Sequence, residues 1–262
     1  MPSQAINNIW SFIGIGESLS WLRGLWRAIT VYAACLTPQG FASLSFRVFR
    51  RESLWMGLSS FHFVTFAAAF IAIALTIQCV QELRHYQAED LSGAVIAIGL
   101  LREIGPLTVS TAWCTAVAGR LVQEGIQEAR IARGGALNEL RDFIFIRYLT
   151  ALLMACALGS YGLAIGFLTG GFTGFAIGLN SMDDFFESAR QAIEFKDLLL
   201  YFVKLNFVNP TIGVFCAAQI LRGVQIGQVE QNYAATRAVA ATMLVIFIVN
   251  SLITFAFYTT RS

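Results

Sequence analysis

Long apolar runs alternate with short polar stretches along this chain, and each run reads differently. From Phe12, the residues Phe12, Ile15, Leu19, Leu22, Trp26, Ile29 and Ala33 recur at spacings of three and four, while Ser11, Ser18, Arg23, Arg27 and Thr30 fall off that stripe. The pattern predicts an amphipathic helix, ended by Pro38 and Gly40. With Trp10, Trp21 and Trp26 beside two arginines it suits a helix lying in a membrane interface; a helix packed on a partner has the same pattern. Four later stretches, Leu54 to Cys79, Leu91 to Ala118, Leu198 to Leu221 and Ala238 to Tyr258, each reach the roughly 20 apolar residues that a hydrocarbon core requires. A fifth, Phe143 to Leu179, runs well beyond about 30 Å as one helix, so it is expected to tilt, protrude or break near Gly170-Gly171. The expected fold is an all-α integral membrane protein. Residues 1–53 form an interfacial helix and connector, and residues 54–258 form a five-span domain.

Composition agrees. Charged residues make up 13% of the 262 positions, against about 25% in ordinary soluble domains, and 56% are hydrophobic. A net charge of +2, with arginines scattered over several connectors, excludes a nucleic-acid binder. Five separate cysteines without CxxC, and two histidines far apart, indicate neither a disulfide framework nor a metal site. The N-terminus lacks the basic start of a secretory signal, its first basic residue being Arg23, and is read as part of the mature protein.

Arginine placement gives an expected orientation. With the N-terminus in the cytoplasm, twelve basic residues lie in cytoplasmic segments: Arg23, Arg27, Arg47, Arg50, Arg51, Arg120, Arg130, Arg133, Arg141, Arg147, Arg222 and Arg237. Only four, Arg84, Arg190, Lys196 and Arg261, lie opposite, among many carboxylates. The positive-inside rule then places the C-terminus outside.

Three ionisable residues draw attention within expected spans: Arg102 and Glu103 in the second, and Lys204 in the fourth. A charge at mid-bilayer costs about 2.5–3.5 kcal/mol on insertion scales, so each should face protein or a wet cavity. Neighbours on a helix point about 100° apart, so Arg102 and Glu103 cannot share one partner. One reading has Glu103 meet Lys204 while Arg102 faces a cavity able to hold an anionic headgroup; the other is a purely structural ion pair locking two helices. Pro106 removes a helical donor and is expected to kink the span one turn beyond the charges. Gly162, Gly166, Gly170, Gly174 and Gly178 recur every four residues, a ridge that lets another helix approach closely, within one subunit or across a dimer. Between the second and third spans, Arg120 to Arg147 is a mixed-charge, helical segment. Such a segment is either a solvated face or the surface shown to a cytoplasmic motor, with Glu124, Glu128, Arg130 and Arg133 as candidate coupling residues. The chain has no GxxxxGK[ST] loop, GxSxG or HExxH, so no catalytic residue is assigned and ATP chemistry must lie elsewhere.

The run Gly99-Leu100-Leu101-Arg102-Glu103-Ile104-Gly105-Pro106 resembles the hallmark of the MlaE/YrbE permease family, a Leu-Arg-Glu-Leu-Gly-Pro segment in the second span. Glu124 is similar to that family's acidic residue after the span, Lys204 to its fourth-span lysine, Gly223 to its small residue after that span, and Ala235-Thr236-Arg237-Ala238-Val239 to its last-span opening. The family's Pro-Arg is replaced by Ile146-Arg147, and the Gly-rich turn before the last span by Gln228 to Tyr233. The resemblance implies a five-span permease of an ABC transporter in the inner membrane, working as a homodimer or a heteromeric pair. A separate ATPase subunit would bind ATP and Mg and grip the loop after the second span, with an MCE-domain protein on the periplasmic side. Phospholipid would move to or from the outer membrane through a pocket near Arg102, Glu103 and Lys204. A non-transporting membrane scaffold is the alternative from another class, and a lipid-modifying enzyme with Glu103 as its acid or base is a third.

Overall fold

A computed structural model describes residues 46–131, 136–179, 181–223 and 229–259, and among them every regular element is helical. The expected N-terminal amphipathic helix lies outside the described residues. Helix α1 spans Phe46–His85. A single 3-10 turn (Glu89–Leu91) then leads into α2 (Ser92–Gly99), a π turn (Leu100–Ile104) and α3 (Gly105–Ile131). Helices α4 (Ala136–Ala176), α5 (Met182–Ala192), α6 (Phe195–Gly223) and α7 (Val229–Thr259) complete the chain. Among the described residues, four stretches are long and apolar enough to cross a membrane: Phe46–His85, Glu89–Gln127, Phe145–Ala176 and Ala235–Thr259. The remaining expected span, Leu198 to Leu221, falls within the continuous helix α6.

Helix α1 buries Glu52, Met56, Ser60, Val64, Ala68, Ala72, Thr76 and Val80, one residue in every four. At 3.6 residues per turn such a stripe winds slowly round the helix, forming an inclined ridge that a second inclined ridge can meet. That second ridge is the glycine series of α4. A Cβ on Gly162 would come within 3.1 Å of Val64, one on Gly166 within 3.9 Å of Ala72, and one on Gly170 within 3.2 Å of Thr76. The pairing advances in the same direction on both helices, so α1 and α4 run parallel and the ridge packs inside this chain. Trp113, Val117, Leu121, Tyr201, Leu205 and Ile246 form the core among α3, α6 and α7, with α1 and α4 packed against α3.

The structure decides among the alternatives for the third stretch and corrects one residue of its ridge. The helix passes unbroken through Gly170-Gly171, because Phe185 and Phe186 from α5 pack over the pair; a Cβ on Gly171 would lie 2.7 Å from the Phe186 ring. Gly178 is not part of the ridge. It lies just past the end of α4 at φ 98°, where Leu179 N donates to Gly174 O and Gly178 N donates to Phe175 O. This is the paired C-terminal capping pattern that favours glycine. Arg84, at the end of α1, donates to Ile177 O at 2.6 Å and ties the two helix ends together.

The short α5 is amphipathic and lies beside α2, burying Phe185 and Ala189. Ser181 caps it by accepting from Asp183 N at 2.9 Å. On its exposed face Arg190 grips Glu187 through two hydrogen bonds, which hold the Glu187 carboxyl at about 2, below the usual carboxylate range.

Candidate functional site

The three intramembrane charges converge where the π turn faces α6 and α7. Lys204 is fully buried, and its Nζ is 3.1 Å from Glu103 Oε1 and 2.6 Å from Thr254 Oγ1. It also donates to the Arg102 carbonyl oxygen. An ammonium has three hydrogens, and here three acceptors receive them. The Glu103 carboxylate further accepts from Thr254 Oγ1 at 2.7 Å and from Asn250 Nδ2 at 3.2 Å.

The Arg102 contact explains the Gly-Pro that follows the charges. In an α-helix the Arg102 carbonyl would accept from the amide of residue 106, but Pro106 has none. Lys204 supplies a donor from the neighbouring helix. The chain meanwhile loosens into a π turn closed by Gly105 N–H donating to Leu100 O. A Cβ at residue 105 would sit 2.2 Å from Leu100 O, so the turn needs glycine there. The irregularity therefore falls on the charged residues themselves and not one turn beyond them.

Arg102 turns to protein partners on α6 and α7. Its Nε is 2.8 Å from Asp197 Oδ1, and its Nη1 donates to Tyr258 Oη at 3.2 Å. The reason is Asp197, whose side chain is fully buried and needs a cation. Asp197 Oδ2 also accepts from Glu194 N at 3.3 Å, which fixes the first turn of α6. Two ion pairs thus stack along the bundle, Arg102–Asp197 and Glu103–Lys204, with no net charge. Glu103 remains 41% exposed on its side chain and Arg102 18%, so the cluster is accessible along that edge.

Sequence reasoning passed over Asp197, Asn250, Thr254 and Tyr258. Each had a spacing signal: Asp197 precedes Lys204 by two helical turns, and Asn250, Thr254 and Tyr258 lie four apart on one face of α7.

The candidate coupling residues sit at the opposite end of the bundle. Arg120 Nε binds Glu124 Oε1 at 2.6 Å, and Arg147 approaches both Glu124 (3.8 Å) and the buried Glu52 (3.6 Å). The Arg120 guanidinium also lies 4.3 Å from the Trp55 ring centre. Together they line a cavity of about 380 Å³ where α1, α3 and α4 meet. Glu128 and Arg130 lie on the last turns of α3, and Arg133 lies outside the described residues.

Comparison with curated proteins finds no match. A family model does match, that of Permease MlaE, over residues 49–256, which takes in every residue of both clusters except Tyr258. The chain therefore belongs to the MlaE permease family.

Proposed function

We propose that this chain is the membrane half of an ABC transporter that moves phospholipid between the inner membrane and the outer membrane or cell envelope. Membership of the family makes it a multi-pass membrane subunit working with an ABC ATPase. In the proposed arrangement the N-terminus is cytoplasmic and the C-terminus periplasmic. ATP is hydrolysed with Mg on the ATPase subunit, this chain pairs with a second permease chain, and an MCE-domain protein receives or delivers lipid on the periplasmic side.

The observation that carries the reading is the ion cluster on the π turn, open along its Glu103 edge. Fully apolar packing would fill the same space without the cost of bringing charges into a membrane. A phosphate at that edge has Arg102 and Tyr258 beside it as donors, and reaches Lys204 only once Glu103 has swung aside. Binding energy for the headgroup is then coupled to opening of the α3–α6–α7 contact. A structural lock, as in a non-transporting scaffold, is the second reading, and the cluster's internal charge balance favours it.

Reconstitution with the ATPase and labelled phospholipid separates the two. Transport predicts lipid-stimulated ATP hydrolysis and lipid movement that fall at least about tenfold, the equivalent of 1.4 kcal/mol, in Glu103→Gln with assembly intact. Undiminished lipid movement in both Glu103→Gln and Lys204→Met would leave only the lock.

A further inference from the structure

We propose that a groove between the start of α1 and the facing part of α4 is a binding site for one anionic phospholipid of the surrounding bilayer. It is distinct from the ion cluster and does not depend on lipid being the transported substrate. The groove encloses about 360 Å³ and is walled by Phe49, Leu54, Leu58, Leu153 and Met154. Gly57 forms its floor, where a Cβ would come within 3.2 Å of Met154 Sδ. Phe46 and Leu58, which mark its two ends on α1, are separated by about 18 Å of helix, close to the length of one acyl chain in half of a roughly 30 Å hydrocarbon core.

The exposed arginines at the start of α1 select the lipid class. Arg50 lines the groove and Arg47 lies one turn before it. Both are exposed, and neither has an ion-pair partner among the described residues, whereas adjacent Arg51 is held by Glu52 at 3.2 Å. Two exposed guanidinium groups beside a slot of acyl-chain length complement a phosphodiester carrying a fatty chain. A lipid with net negative charge gains roughly fivefold in occupancy per arginine. A zwitterionic lipid gains less, because its ammonium meets the same arginines.

Native mass spectrometry of the full chain, released from micelles with equal phosphatidylglycerol and phosphatidylcholine, tests this. The expected result is one phosphatidylglycerol adduct in excess, reduced roughly fivefold in Arg50→Gln and roughly 25-fold in Arg47→Gln/Arg50→Gln. Both substitutions are on the surface and leave the helix intact. Equal adducts of the two lipids, or a phosphatidylglycerol adduct unchanged in the double variant, overturns the proposal. So does a high-yield disulfide between Leu58→Cys and Leu22→Cys, which assigns the groove to the N-terminal segment of this chain.

Discussion

Lys204→Met, made in the wild-type chain and again in Pro106→Ala, probes whether a side chain replaces the missing amide at the π turn. Methionine retains most of the apolar stem of Lys204 but leaves behind three acceptors: the Arg102 carbonyl, Glu103 Oε1 and Thr254 Oγ1. Removing one member of a fully buried ion pair costs about 3–5 kcal/mol. Glu103 is 41% exposed and keeps Asn250 and Thr254, so its share is smaller. The Arg102 carbonyl has no i+4 donor in its own helix, and an orphaned acceptor costs about 1–3 kcal/mol. Lys204→Met should therefore destabilise the chain by about 2–4 kcal/mol. Pro106→Ala returns an N–H in the register of the Arg102 carbonyl, so Lys204→Met should cost about 1 kcal/mol less in that background. Detergent-induced unfolding of the full chain in mixed micelles, followed by tryptophan fluorescence on all four proteins, gives the coupling. The cycle cancels the general gain from removing a helical proline. A coupling below about 0.5 kcal/mol, the scatter of independent sites, refutes the substitution of lysine for amide.

Gly105→Ala should lose about 1–3 kcal/mol by forcing its Cβ against Leu100 O, whereas Gly99→Ala, whose Cβ meets nothing within 4 Å, should be neutral or slightly stabilising in the same unfolding assay. Gly162→Ala places a Cβ 2.7 Å from Val109 Cγ2 and should lower stability by about 1–3 kcal/mol, seen as earlier unfolding in detergent titration. Arg102→Lys cannot serve Asp197 and Tyr258 together through one planar group; transport in proteoliposomes should fall about tenfold or more, and wild-type rates would refute a role for the fork. Glu124→Gln weakens the links to Arg120 and Arg147 at the far end of α3; ATP hydrolysis in the reconstituted complex should persist but lose most of its response to lipid, while an unchanged response would remove Glu124 from coupling.

Legibility in the sequence followed the size of the free-energy penalty. Lys204 and Glu103 stood out because each is a charge within an apolar run, and opposite charges in two spans suggest each other as partners. Asp197 did not, since a carboxylate at the start of a span reads as a solvated end; only the fold shows that it is fully buried beneath Arg102. Asn250 and Thr254 are neutral, so their burial is a weaker signal than a charge, although their spacing was visible. Gly178 shared the four-residue period of the ridge, but its left-handed φ follows from where α4 ends, which periodicity does not fix. The ridge's partner was equally present in α1, where Ser60, Val64, Ala68, Ala72 and Thr76 recur every four residues, hidden because several residue types share the role. The π turn had no pattern of its own. Pro106 announced a lost hydrogen bond, but whether the helix kinks after it or loosens before it depends on a donor from another helix.

That dependence links the geometry of the second span to the state of Lys204. Its three hydrogens are all committed, so an anion that draws the ammonium away takes it from the Arg102 carbonyl as well as from Glu103. The carbonyl cannot then be satisfied by tightening into a regular α turn, because residue 106 still lacks an amide. The turn must shift instead, and Arg102 and Glu103 lie within it. From Glu103 to Glu124 the helix runs about 32 Å without a further break, long enough to cross the hydrocarbon core and rigid enough to carry an axial or rotational displacement. A turn that depends on Lys204 at one end and an ion-pair network at the other are therefore joined by a single helix. In the proposed function, this would give binding at the cluster a direct mechanical route to the end of the bundle where an ATPase would act.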